Sequence, residues 1–177
     1  MIAGEAGGPV NHGRELRDLA FASSRGYRYW QEAVTEPRHY SGGHLSALGA
    51  DELLFDARSR YFADAVPWPG TPGSFWLVYR HLVLDYVGEA FTGERLRCGV
   101  KAVSRGQRSI RMRQTLEVAG EYGRPVAHSK LVVVAFDVVR RTAIEVPAEL
   151  WDAVVAFEGG SGTETSPART SMSATEP

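Results

Sequence analysis

The apolar periodicity of this chain changes once, and it changes at a cluster of prolines. From Ala50 to Ala65, Leu53, Leu54, Ala57, Tyr61 and Ala65 recur at the three-and-four spacing of an amphipathic helix. Pro67, Pro69 and Pro72 follow, and none can continue a helix. Beyond them the pattern is that of strands. Phe75–Asp85 is a long run of β-forming residues, and Glu94–Val103 follows the turn FTG. Ser109–Val118 alternates with period two: Ile110, Met112, Leu116 and Val118 share one face, and Gln114 is the single polar residue among them. His128–Val139 is apolar on both faces beyond Lys130.

Before the helix, Tyr27–Val34 is aromatic-rich and reads as a strand, and Thr35–Gly43 as a loop. Asp51 and Glu52 fall in the first turn of the predicted helix, where the macrodipole favours acids. RGQR at 105–108 and GEYGRP at 120–125 read as hairpin turns, and Ala148–Ala156 as a short closing helix. Sequential strands joined by short turns are antiparallel. One helix and one antiparallel sheet bury both apolar faces when the sheet wraps the helix. The sequence therefore predicts an α+β fold of that form.

The ordered domain is expected over residues 27–157 of 177. Residues 1–26 read as a flexible segment with one weakly amphipathic piece. Residues 158–177 read as a disordered tail, because 13 of the 20 are Gly, Ser, Thr or Pro and none is a large aliphatic.

The charge balance, 20 Lys+Arg against 21 Asp+Glu, gives no electrostatic case for nucleic acid. No run approaches the length of a membrane span. The single cysteine, Cys98, rules out an internal disulfide and a Cys-rich zinc site. The histidines at 12, 39, 44, 81 and 128 have no metal-ligand spacing, and no dinucleotide or P-loop motif occurs, so no metal or cofactor is expected. The amino-terminal residues lack a basic-then-apolar pattern, and a cytoplasmic protein is expected.

The element order and several segments resemble hotdog-fold acyl thioesterases of the 4-hydroxybenzoyl-CoA thioesterase type. The segments are SGGHLSA before the helix, FDARSRYF within it, LVLDYVGEAFTGERLR, VSRGQRSI and FDVVRRTAIEVPAELW, together spanning about residues 39–151. The resemblance implies a homodimer or homotetramer in which sheets join between subunits and the site lies between them. It implies hydrolysis of an acyl thioester of coenzyme A or of an acyl carrier protein. Backbone N–H groups at the helix start would polarise the thioester carbonyl. In the commonest branch an Asp in the preceding loop acts as base or nucleophile. This chain departs there: the matching positions are Arg38, His39 and Tyr40, and no acid occurs between Pro37 and Ala50.

Thioester hydrolysis needs donors for a developing oxyanion, a base or nucleophile, and a place for the acyl group and its carrier. Gly43, in the Gly42-Gly43-His44 turn, lets backbone donors approach a ligand. His44 carries an imidazole that could direct water or orient the carbonyl. His39 and Tyr40 stand where the Asp is missing. Asp56 and Glu52 are helix carboxylates that could replace it. Phe55, Tyr61 and Trp76 are expected to line the acyl slot. Lys101, Arg105 and Arg108 belong to an acid-free basic stretch from Arg97 to Arg113 suited to phosphates or an acidic carrier. Two rival readings remain: a binding protein that holds an acyl thioester or carrier protein without turnover, and a lyase of the dehydratase or hydratase class using His44 with Asp56.

Overall fold

A computed structural model of the chain describes residues 26–65, 75–121, 123–159 and 164–165. The three prolines, nearly all of the 1–26 segment and most of the tail lie outside these residues. The elements are β1 (Tyr29–Ala33), a 3-10 turn (Pro37–His39), β2 (Tyr40–Ser41), β3 (His44–Leu45), α1 (Ala47–Arg60), a π turn (Tyr61–Ala65), β4 (Trp76–Tyr86), β5 (Leu96–Arg105), β6 (Ser109–Val118), β7 (Arg124–Asp137), β8 (Thr142–Ala143), α2 (Ala148–Glu158) and β9 (Glu164–Thr165).

The main sheet runs β1-β5-β6-β7-β4, antiparallel throughout, with β8 on β7 and a parallel β9 on β5. Hairpins make β5, β6 and β7 neighbours. The long connection through α1 carries the chain from one edge, β1, to the other, β4. Register shifts at Tyr79/His81, Ala102/Ser104 and Leu116/Glu117 bend the strands, and the sheet curls around α1. This is the expected α+β arrangement.

The alternation read in β6 decides which face meets the helix. Ile110, Met112 and Leu116 are buried with Leu53, Leu54 and Ala57 of α1. Gln114, the polar exception, donates from Nε2 to the Leu54 carbonyl oxygen at 2.6 Å. It is a buried polar group satisfied by the helix backbone. Cys98 lies beneath the same turn with its thiol 3.7 Å from the Leu53 carbonyl, and burial pushes that thiol up to about 12, so it stays protonated.

Three expectations are corrected. Helix α1 starts at Ala47, three residues before Ala50, with Ser46 as its N-cap. Asp51 and Glu52 therefore lie beyond the first turn and are not dipole partners there. Tyr61 is fully buried, and its hydroxyl donates to Glu158 Oε1 at 2.8 Å, so it is a core residue rather than part of an acyl slot. Glu158 ends α2 inside the core, where it also accepts from the Ala102 N–H at 3.1 Å. Removing the donor from this buried carboxylate leaves it under-satisfied: Tyr61→Phe is expected to lower stability by about 1–3 kcal/mol in denaturant titration, with enzyme-like properties of the surface unaffected.

No helix of the described residues is long and apolar enough to cross a membrane.

Candidate active site

The segment before α1 is built onto the helix by its backbone. Gly42 and Gly43 both have positive φ, +60° and +85°, as the two-residue turn between β2 and β3 requires. The hairpin is tied to the chain ahead of β5: Leu45 N–H donates to the Ala90 carbonyl at 2.8 Å and Thr92 N–H to the Gly43 carbonyl at 3.0 Å. The 3-10 turn is tied to the helix start. The His39 carbonyl accepts from both the N–H and the hydroxyl of Ser46, at 2.8 and 2.9 Å.

Ser46 then sets which helix donors remain. Its hydroxyl oxygen accepts from Gly49 N–H at 3.0 Å, and its carbonyl accepts from Ala50 N–H at 2.9 Å. The N–H groups of Ala47 and Leu48 have no partner among the described residues. They are the free donors of the helix terminus. The sequence placed the donors at the Gly42-Gly43-His44 turn; the structure puts the free helix N–H groups four residues on.

A cavity of about 280 Å³ opens at this end of α1, lined by His44, Ala47, Tyr86, Glu89, Ala90 and others. His44 is half exposed there, with Nδ1 3.6 Å from Glu89 Oε1 and its ring 4.7 Å from that of Phe91. Glu89 escaped sequence analysis, because nothing in the spacing of residues 45 apart marks them as neighbours. Tyr86 closes one side, its hydroxyl donating to the Ala47 carbonyl at 3.1 Å.

The residues at the position of the missing Asp form a separate cluster. His39 is buried, and its Nδ1 accepts from the Glu36 N–H at 2.9 Å. The ring proton therefore sits on Nε2, which lies 3.4 Å from Glu52 Oε2 without completing a hydrogen bond. Arg38 Nη1 holds the other oxygen of Glu52 at 2.6 Å. Arg38, Glu52 and His39 thus stand together between the loop and α1, with the imidazole held by a hydrogen bond at Nδ1. Tyr40 has a buried hydroxyl with no partner among the described residues.

Asp56 does not join either group. It lines a narrow cleft with Gln31, Arg60 and Cys98 on the β1 side of α1. At 1.5 Å per residue it lies about 14 Å along the helix from Ala47. Its neighbour Asp51 faces the opposite way: its charge pushes Tyr79 and Tyr86 upward, adding to their burial.

Phe55 and Trp76 do come together. With Arg58, Phe62, Leu77 and Tyr79 they line an apolar cavity of about 540 Å³ between the second half of α1 and the start of β4. Phe62 lines this cavity and Tyr61 does not. The basic stretch disperses. Arg97 pairs with Glu117, and Arg105 donates to the Val146 carbonyl at 2.8 Å. Lys101 stands opposite Arg113, and Arg113 opposite Lys130, across three strands. Arg108 lies in the β5–β6 turn, where its carbonyl accepts from Ala135 N–H. None of Lys101, Arg105 and Arg108 lines either cavity. Among the described residues no group of His, Cys, Asp and Glu side chains could hold a metal ion.

No family model matches the chain, and no curated protein matches its sequence. Solved structures do match. A thioesterase of Thermus thermophilus, solved with coenzyme A and zinc, is 22% identical, with a TM-score of 0.64 over 76% of this chain and 97% of that one. A 1,4-dihydroxy-2-naphthoyl-CoA thioesterase of Synechocystis is 15% identical, with a TM-score of 0.61 over 71% and 94%. A hypothetical protein of Staphylococcus aureus in complex with CoA is 13% identical, with a TM-score of 0.63 over 84% and 94%. The chain has the hotdog fold. The expected curled sheet around one long helix is the architecture that these thioesterase structures share. Identity at this level carries the fold and does not transfer the neighbours' chemistry.

Proposed function

We propose that this hotdog protein hydrolyses acyl thioesters of coenzyme A. The observation that carries the reading is convergence on one cavity: Ala47, whose N–H is free, lines the same opening as His44 and Glu89, and the free N–H of Leu48 follows it in the helix terminus. Two neighbours described as thioesterases, one of them solved with coenzyme A, and a third hotdog neighbour solved with CoA support the choice of substrate.

In this reading the thioester carbonyl oxygen accepts from the Ala47 and Leu48 N–H groups. Water adds to the carbonyl carbon, and its proton passes to His44, whose imidazolium is balanced by Glu89. The tetrahedral oxyanion gains from donors that need no reorganisation. It collapses with loss of the thiolate, which takes the proton from His44, giving carboxylic acid and free thiol. Glu52 and His39 serve this arrangement by fixing the loop. A lyase reading that joins His44 to Asp56 has no support within one chain, because the two line different cavities.

The site is completed, in this proposal, by a second copy. Strand β4 pairs only with β7 among the described residues, and its free edge carries exposed Trp76, Tyr79, Leu82 and Tyr86. An open, apolar edge of eleven residues is an association hazard unless covered. Antiparallel pairing of β4 with its own copy sets the Trp76 end of one strand against the Tyr86 end of the other. That brings the apolar cavity of one subunit toward the helix start of its partner. Leu82→Glu is expected to weaken the dimer at least about tenfold in sedimentation equilibrium and to reduce turnover with it, since a carboxylate then replaces an apolar group that the second copy would cover.

The test is release of free thiol from a panel of aliphatic and aromatic acyl-CoAs. Wild-type protein is expected to turn over some of them, and His44→Ala to lose about 10²-fold in kcat/KM. Tight acyl-CoA binding with no thiol released would instead favour the binding-protein reading. Turnover confined to acyl carrier protein substrates would replace CoA as the carrier.

A further inference from the structure

Among the described residues, Arg58 is the one charged residue lining the apolar cavity between α1 and β4, and it is only 4% exposed. Its guanidinium lies 3.8 Å from the centre of the Tyr79 ring and 4.8 Å from that of Phe55. Its Nη1 is buried with no hydrogen-bond partner among the described residues. Among the described residues no acid lines the cavity, and no ion pair joins Arg58 to a carboxylate. Burial lowers the affinity of this guanidinium for its proton, and contact with Tyr79 and the charge of Asp51 oppose the shift only in part.

Cation–π contact with two rings, the Tyr79 hydroxyl and the charge of Asp51 offset part of the desolvation of Arg58, but no carboxylate among the described residues is in ion-pair contact with it. Buried charges in proteins are paired, and an arginine offers five donors in a planar fork that matches a carboxylate. The surrounding walls, Phe55, Phe62, Trp76 and Leu77, suit a hydrocarbon or aromatic body.

We infer that this cavity binds acyl groups ending in a carboxylate, with the apolar body between the aromatic walls and the distal carboxylate paired to Arg58. Resting on the thioesterase reading, this makes ω-carboxyacyl thioesters, derived from dicarboxylic acids, the substrate class. A plain fatty acyl chain fills the walls and leaves the cation unpaired, and a site built to pair a group discriminates against analogues that lack it.

The experiment compares suberoyl-CoA with octanoyl-CoA, of equal chain length, in the full-length wild-type protein and in Arg58→Met and Arg58→Lys. The wild type is expected to favour suberoyl-CoA by at least about tenfold in kcat/KM. Arg58→Met should bring that ratio to about one, and Arg58→Lys should keep part of it. A second readout needs no turnover: suberate, but not octanoate, should raise the melting temperature of the wild type and leave that of Arg58→Met unmoved.

If no acyl-CoA is hydrolysed while suberate binding still requires Arg58, the inference stands and the hydrolase reading falls. If octanoyl-CoA is turned over as well as suberoyl-CoA and suberate binds equally to Arg58→Met, the hydrolase reading stands and the inference is overturned. Should Arg58→Met fail to fold, the wild-type preference alone decides. A folded Arg58→Met that has lost its dimer also overturns the inference, because Arg58 would then serve the partner subunit rather than a ligand.

Discussion

Gly49→Ala is expected to destabilise the protein by about 2–3 kcal/mol and to reduce thiol release as the helix start moves. A Cβ at Gly49 would stand 2.3 Å from the His39 carbonyl oxygen and 2.8 Å from its Cα, both backbone atoms. The segment cannot simply retreat. The same carbonyl accepts two hydrogen bonds from Ser46, and the buried His39 ring is held by the Glu36 N–H. Overpacking of this kind costs about 1–3 kcal/mol, and each loosened hydrogen bond adds about 1. Against this, Ala gains about 1 kcal/mol of helix propensity over Gly. The clash wins, and denaturant titration of Gly49→Ala reads the balance directly. A variant as stable as the wild type would mean that the loop does not rest on the helix as described.

The expected start of α1 fell at Ala50, just past this glycine, because it was read from apolar spacing, although Ser46 is a strong N-cap residue at the observed boundary. Close approach of another backbone, not local preference, puts Gly at 49, and close approach leaves no trace in periodicity. The three-residue error then carried Asp51 and Glu52 into a first turn they do not occupy. Glu52 instead joins Arg38 and His39, and Asp51 faces the β4 side.

What was legible is what burial writes into the chain. The β6 boundaries, Ser109–Val118, follow the alternation residue for residue, and Gln114 stood out because an apolar face admits a polar group only with a partner. The helical stripe likewise found the buried side of α1. Tyr61 belongs to that stripe and is sealed against Glu158, while Phe55 lies outside it and is exposed beside a cavity. Contacts between distant segments, such as His44 with Glu89, have no local signature at all. The candidate site was thus found in part, through His44 and the turn before the helix, while its donors and its partner carboxylate came from tertiary structure.

Ala47→Pro produces the other large effect, a fall of about 10²–10³-fold in kcat, with little change in fold. Ala47 is the first helical residue, where proline is well tolerated because the N–H it lacks has no helical partner. Ser46 already has the extended conformation, φ −77° and ψ 159°, that a following proline demands. The substitution therefore deletes one donor of the inferred oxyanion site and spares the helix. Loss of a single such donor in acyl transfer lowers turnover by about two to three orders of magnitude. Thiol release by Ala47→Pro, measured beside its circular dichroism and melting temperature, tests the central claim most directly. The account predicts a folded, dimeric protein that binds acyl-CoA and has lost nearly all turnover. A folded Ala47→Pro with wild-type turnover would contradict it, because the carbonyl would then be held somewhere other than the start of α1.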